Sequence, residues 1–297
     1  MDEPAPPRRV LLIANPTAGG GRGRVLGPQL AEALRARGLT AECYLTTAAG
    51  DGERRAAAAG SEPWDALVAL GGDGTINEVL NGMPDPTRRL GVFPLGTANV
   101  LAVELRLQKR LAKAADTIAA GHVRELAIGR CNGRRFLLFA GVGVDGAVVQ
   151  RLHEARTSLR GKKKWAGPIL HTLWHWPRFT VRATLADGEV LDGLSSVLVT
   201  RVRNYGGVLH LPPEVSCDSG RLHVLGFRQR SRLGWLGIGA RGVLRLLRSG
   251  RNLVVRTTTA VRIDGEAPFQ LDGDFGGVAP ATVDLLPQPA RLLVPAR

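Results

Sequence analysis

Residues 66–82 read ALVALGGDGTINEVLNG: five apolar residues, two glycines, Asp73-Gly74-Thr75, then apolar positions at Ile76, Val79 and Leu80. A short apolar run bounded by glycine reads as a buried strand, and the three-to-four spacing behind it reads as a helix. A strand that enters a helix through consecutive glycines is suited to phosphate. Backbone N–H groups can approach its oxygens there, and the helix N-terminus favours their charge. Asp73 is placed to hold Mg2+ through water, and the metal then neutralises a transferring phosphate. GG and DG are also common turn dipeptides, so this stretch alone leaves a plain turn open.

Two more glycine-bearing loops follow strand-like runs. Residues 10–14 lead into Asn15-Pro16-Thr17-Ala18-Gly19-Gly20-Gly21, and residues 90–93 lead into Pro94-Leu95-Gly96-Thr97-Ala98-Asn99. Helical patterns follow at about 25–37 and 98–105. A further strand at 40–45 precedes an alanine-rich helix ending near Gly60. Strands alternating with helices imply a parallel sheet with ligands at the strand carboxyl ends, so all three loops are expected to face one nucleotide. No GxxxxGK[ST] loop occurs, so phosphate binding would rest on backbone amides, hydroxyls and metal.

Beyond about residue 125 the pattern changes. Short β-like runs at 136–140, 179–185, 195–202, 222–227, 253–262 and 281–286 are separated by DG, GG and PP turn signals. They predict an antiparallel sandwich. The expected organisation is an α/β domain over 1–126, to which a last strand at about 288–297 returns, and a β-sandwich domain over 127–287, meeting at a cleft.

The chain has 297 residues, enough for two cores, with 44% hydrophobic and 22% charged residues, which excludes a disordered class. Its net charge of +14 points to an anionic partner. Cys43, Cys131 and Cys217 are far apart with no CxxC pair, so neither a disulfide framework nor a zinc site is suggested, and a reducing cytoplasm is expected. The apolar run before Asn15 is short for a signal peptide, and no run reaches the roughly 20 residues of a membrane span.

Basic residues cluster twice. Arg151, Arg156, Arg160, Lys162, Lys163, Lys164, Arg178 and Arg182 are interleaved with Trp165, Trp174 and Trp176. Near 230–249, Arg241, Arg245 and Arg248 stand beside Leu244, Leu246 and Leu247. Cations next to tryptophan and leucine suit an anionic bilayer interface; a solvated helix with its apolar side in the core fits equally. No nucleic-acid reader motif appears, so no specific nucleic acid is expected.

NPTAGGGR (15–22), GGDGTINEVLNG (71–82) and PLGTANVLA (94–102), in this order and spacing, closely resemble the diacylglycerol kinase catalytic-domain family, which includes bacterial lipid kinases and sphingosine kinases. GVGVDGAVV (141–149), NYGGVLHLPPEVSCDSGRLHV (204–224) and LDGDFGG (271–277) extend the resemblance over almost the whole chain. It implies a Rossmann-like α/β nucleotide-binding domain, similar to those of NAD kinase and phosphofructokinase, and an antiparallel β-sandwich domain. It implies ATP and Mg2+ as cofactors and a lipid hydroxyl as acceptor at an anionic membrane surface.

The resemblance carries ATP contacts onto Asn15, Pro16, Thr17, Gly19, Thr46, Gly71, Gly72, Asp73, Gly74, Thr75, Asn77, Gly96, Thr97 and Asn99, with metal at Asp73. Similar kinases place an Asp-Gly-Glu motif near the C-terminus to accept the alcohol proton. This chain has DGE at 264–266 and DGD at 272–274. By its distance to Pro280 the second matches, making Asp272 and Asp274 the expected catalytic carboxylates, while Asp264-Gly265 is read as a hairpin turn. The resemblance also implies a second Mg2+ in the loop at 217–220, where Asp218 is the remaining acidic residue. It implies a head-group contact at Asp145, whose Asp-Gly pair equally reads as a turn. Two competing readings remain: a soluble-substrate kinase of the NAD kinase or phosphofructokinase type, and a non-catalytic nucleotide- and membrane-binding relative. The oligomeric state, a dimer included, is left open.

Overall fold

The computed structural model describes residues 6–154, 167, 171, 172, 174, 175 and 177–296. They fall in two compact units: Met1–Leu126 with Pro287–Arg297, and Ala127–Leu286. Arg156, Arg160, Lys162, Lys163, Lys164, Trp165 and Trp176, in the first basic cluster, lie outside the described residues.

The first unit alternates strand and helix: β1 (Arg9–Ala14), α1 (Gly23–Arg35), β2 (Thr40–Leu45), α2 (Asp51–Ala58), β3 (Ala66–Gly71), α3 (Asp73–Gly82), β4 (Arg89–Pro94), α4 (Val100–Glu104), α5 (Leu111–Ala120) and β5 (Val123–Leu126). Its sheet runs β2-β1-β3-β4-β20-β5, where β20 (Ala290–Leu293) is parallel to β4 and antiparallel to β5. β1, β2, β3 and β4 are mutually parallel. Every residue of β3, and all of β1 except Arg9, is buried, as a parallel strand covered on both faces requires. Helix α5 has no counterpart among the elements expected from sequence. It buries Ala114, Ala115 and Ile118 and ends at Gly121, whose left-handed backbone (φ 76°) closes it.

The second unit holds two antiparallel sheets. One runs β10 (Val190–Leu194), β9 (Val181–Leu185), β16 (Ala260–Asp264), β19 (Ala281–Leu285), β6 (Gly129–Cys131) and β7 (Arg134–Phe136). The other runs β15 (Leu253–Thr258), β14 (Leu222–Phe227), β11 (Ser196–Thr200), β8 (Phe139–Gly143), β17 (Pro268–Leu271) and β18 (Asp274–Val278). Val181, Ala183, Ile263 and Val283 of the first share one core with Val142, Val197, Val199 and Phe269 of the second. The described residues of this unit also include a small ribbon, β12 (Asn204–Tyr205) with β13 (Leu209–His210), and the helices α6 (Val144–Glu154) and α7 (Arg232–Val243).

Three expectations are corrected here. The run 136–140 is two strands, because the N–H groups of Leu137, Leu138 and Phe139 donate to the Asp272 carboxylate at 3.1, 3.0 and 3.0 Å and interrupt the ladder. The run 253–262 is also two strands, in different sheets. The chain turns at Thr259, where the Thr258 hydroxyl donates to the Ala260 carbonyl (2.8 Å). Asp264-Gly265 closes no hairpin, since β16 and β17 belong to different sheets. The two-residue hairpin lies at Asp272-Gly273, with φ of 48° and 94°, between paired Leu271 and Asp274. Both central residues are left-handed there, as a tight primed turn demands.

Candidate functional site

In the first unit, the loops after β1, β3 and β4 touch one another. The N–H of Asn15 donates to Leu70 O (2.9 Å) and that of Leu95 to Gly71 O (2.7 Å), tying each strand end to the next. A methyl group on Gly96 would lie 2.5 Å from the Gly72 Cα, and one on Gly19 would lie 3.4 Å from Leu95 O. The backbones of the GGDG and GTAN loops thus meet at a distance that only paired glycines allow. Thr46, buried after β2, donates its N–H to Ala14 O (2.9 Å) and stands at the same sheet edge.

Within these loops the side chains mostly shape backbone. Asn15 Oδ1 accepts from the Thr17 N–H (3.0 Å) and hydroxyl (2.8 Å), folding the turn that precedes left-handed Gly19, Gly20 and Gly21. Pro16 is partly exposed, and Thr17, Gly74 and Thr97 are exposed. Thr75 is buried against Gly71, while Asn77 is buried and accepts from Asn81 along α3 (2.9 and 3.1 Å). Asn99 is 3% exposed and left-handed (φ 47°). Its Nδ2 donates to Gly96 O (2.6 Å), and its Oδ1 is buried without a hydrogen-bond partner. A buried acceptor left unpaired costs about 1–3 kcal/mol, so a donor reaching it from a ligand would gain that much.

Asp73 lies in the first turn of α3, and its carboxylate accepts the N–H groups of Val100 (3.2 Å) and Leu101 (3.4 Å) at the start of α4. Burial pushes this carboxyl above the ordinary carboxylate range, and the backbone N–H bonds oppose that rise. Asp73 therefore joins the GGDG loop to the segment after GTAN.

In the second unit, the structure links the DGD turn to Asp145. The Asp145 carboxylate accepts the Tyr205 hydroxyl and, at 2.6 Å, the Gln270 side-chain N–H. Gln270 Oε1 in turn accepts the Gly273 N–H (2.8 Å). Asp145 is in the first turn of α6, so its Asp-Gly pair opens a helix and forms no turn. A Cβ at position 141 would overlap the Asp145 carboxylate, which accounts for Gly141 beneath it. Burial raises the Asp145 carboxyl above its ordinary range, opposed by the bonds from Tyr205 and Gln270, and burial likewise pushes the Tyr205 hydroxyl well up.

The two DGD carboxylates differ. Asp272 is 9% exposed and bound to three backbone N–H groups, whereas Asp274 is exposed. Tyr205 and Gln270 were not singled out from sequence, although Gln270 carries a signal: it is the one polar residue of PFQL, a wholly buried strand.

Metal has little protein chemistry to rely on. Among the described residues no group of three or more His, Cys, Asp or Glu side chains could hold an ion. The turn bearing Asp218 is braced by a buried guanidinium: Arg201 donates to the carbonyls of Cys217 (3.2 Å), Arg221 and Ala127 (3.3 Å). Asp73, a single carboxylate beside phosphate-sized loops, fits an ion that arrives bound to a nucleotide and keeps most of its water.

The family model described as the diacylglycerol kinase catalytic domain matches residues 9–131. Diacylglycerol kinases of Staphylococcus carnosus (strain TM300) and Bacillus subtilis (strain 168) are 28% and 29% identical to this chain. The alignments cover 97% of this chain and 95% of the first relative, and 92% of both chains for the second. In three dimensions the chain is similar to a diacylglycerol kinase from Bacillus anthracis, with a TM-score of 0.74 at 24% identity over 97% of each chain. That last likeness is one of fold.

Proposed function

We propose, from the place of this chain in the diacylglycerol kinase catalytic-domain family, that it transfers the γ-phosphate of ATP to the hydroxyl of a lipid of the diacylglycerol class at a membrane surface. The observation that carries the reading is the glycine-only contact of the GGDG and GTAN loops at the carboxyl ends of adjacent parallel strands. Bare backbone at helix N-termini suits an extended, anionic ligand. On this reading the first unit is a Rossmann-like nucleotide domain. Asn15, Pro16, Thr17, Gly19, Thr46, Gly71 to Thr75, Asn77, Gly96, Thr97 and Asn99 surround ATP, and Asn99 Oδ1 takes a donor from it.

Mg2+, held through Asp73, would neutralise charge on the transferring phosphate. Asp218, in the loop that Arg201 braces, is the remaining acidic residue for a second Mg2+ there. In the second unit the exposed Asp274 carboxylate accepts the acceptor hydroxyl's proton as the new P–O bond forms and the bond to ADP breaks. Asp272 fixes the hairpin that presents Asp274, and Asp145 with Tyr205 orients that hairpin and the lipid head group. The protein would work from the cytoplasm as a peripheral membrane enzyme; among the described residues no helix is long and apolar enough to cross a membrane.

The test is transfer of labelled γ-phosphate to diacylglycerol, monoacylglycerol, sphingosine, ceramide and undecaprenol in anionic mixed micelles, with Asp73→Asn as control. A labelled lipid that disappears in the control is expected. Label on NAD or a sugar phosphate instead would overturn the lipid reading, and tight ATP binding without transfer would favour a non-catalytic relative.

A further inference from the structure

Helix α7 is made of apolar residues that the fold does not bury. Of its 12 residues only Gly242 is buried. Leu233 is 81% exposed, Leu236 52% and Val243 51%, and the segment that follows adds Leu244 at 65% and Leu246 at 58%. Exposed aliphatics at this density on one short stretch mark a surface built for a partner.

The helix is nevertheless held firmly. Ser231 caps it, its hydroxyl oxygen accepting the Gly234 N–H (3.1 Å). The Trp235 indole N–H donates to Gln229 O (2.9 Å) while its ring rests on Phe227, with centroids 4.9 Å apart. Gly242 sits against Leu209, and Leu247 is buried beyond the helix end. These anchors fix the element and leave its leucines outside.

The charge along this stretch of sequence is of one sign. Residues 228–251 contain seven arginines and no aspartate or glutamate, and no acidic residue occurs anywhere in 219–263. A second copy of this chain would bring arginine against arginine across a two-fold interface, without carboxylates to offset them. A nucleic acid would meet the arginines but leave the leucines in water. A surface that presents phosphates above an apolar layer satisfies both sets at once.

We propose that α7 and the segment after it dock on an anionic lipid bilayer, the leucines entering the acyl boundary while the arginines engage head-group phosphates. The helix is too short to span, since spanning takes roughly 20 residues, so it lies along the surface. The assignment rests on the lipid-kinase reading for its purpose, because that reaction requires a bilayer-borne acceptor. Its geometry is independent of it.

The test uses the full chain in flotation with vesicles of phosphatidylcholine alone or mixed with phosphatidylglycerol. Arg232→Glu with Arg241→Glu is expected to weaken binding to the mixed vesicles roughly twentyfold or more, from about a fivefold contribution per surface arginine. Leu233→Ser with Leu244→Ser is expected to lower binding at every salt concentration and leave a remainder that salt abolishes. All these side chains are exposed, so the thermal midpoints should match wild type. Wild-type flotation by both variants would overturn the proposal. So would a solution dimer that the leucine variant dissolves without change in flotation, or retention on DNA or RNA in place of vesicles. Turnover on a short-chain, water-soluble diacylglycerol separates the two readings. Both variants should keep it, and a wild type that floats through α7 yet phosphorylates no lipid would sink the kinase reading while this one stands.

Discussion

The GGDG–GTAN contact and the DGD hairpin are both tight turns carrying aspartates, but they are built from different materials. In the first unit the site is bare backbone, where Gly72 and Gly96 leave room and Asp73 accepts the main-chain N–H groups of Val100 and Leu101. In the second unit it is a relay of side chains, with Tyr205 on Asp145, Asp145 on Gln270 and Gln270 on the hairpin. A backbone site tolerates change only where glycine stays glycine. A side-chain relay can be taken apart one bond at a time, which allows its carboxylates to be sorted by role.

The largest effect should separate the two DGD carboxylates. Asp274→Asn is expected to lower kcat by about 10²–10⁴, the usual worth of a general base, with an unchanged urea midpoint. Equal loss of stability and activity would place Asp274 with Asp272 and erase the distinction. Asp272→Ala should instead cost about 3 kcal/mol of folding stability, because it strips the acceptor from three backbone N–H groups. Denaturant titration reads it directly.

In the first unit, Gly96→Ala forces a methyl group onto the Gly72 backbone and should cost about 2 kcal/mol, expressed in calorimetry as weaker ATP binding. A smaller cost, about 1–2 kcal/mol, is expected for Asp145→Asn, whose amide N–H2 would oppose the Gln270 N–H2 where a carboxylate now accepts. The smallest effect is one of pH. Burial holds the folded Asp73 pKa above its unfolded value of about 3.9. The stability this group contributes is complete below the unfolded value and is lost as pH rises through the folded one. Asp73→Asn should therefore lose less stability than wild type as pH rises above about 4. Parallel stability curves for the two proteins would refute the burial account.

Sequence made the first unit legible because its signals are local. Strands 40–45 and 66–71 and the three glycine loops each announce themselves within a few residues. Helix α5 escaped although Leu111, Ala114, Ala115 and Ile118 keep the three-to-four spacing of a helix, because two of the four are alanines that read as weakly apolar. The second unit resisted for the opposite reason. The break at Leu137 and Leu138 is set by Asp272, which lies far along the chain, and the identity of the tight hairpin depends on which sheet each strand joins. Gln270 could have been suspected as a polar residue in a buried strand, but its partners Asp145 and Gly273 could not have been paired with it from spacing alone.

The position of β20 bears on how the protein is made. β20 lies between β4 and β5, and it is synthesised only after all of the second unit. Until it emerges, β4 is an open edge and β5 has no strand to join. The growing chain thus carries an exposed, largely apolar edge throughout translation of its second half, and the sheet closes by a contact of long sequence separation. Closure of this sheet is therefore a late step in the order of assembly, and the edge it covers is the one most open to wrong pairing beforehand.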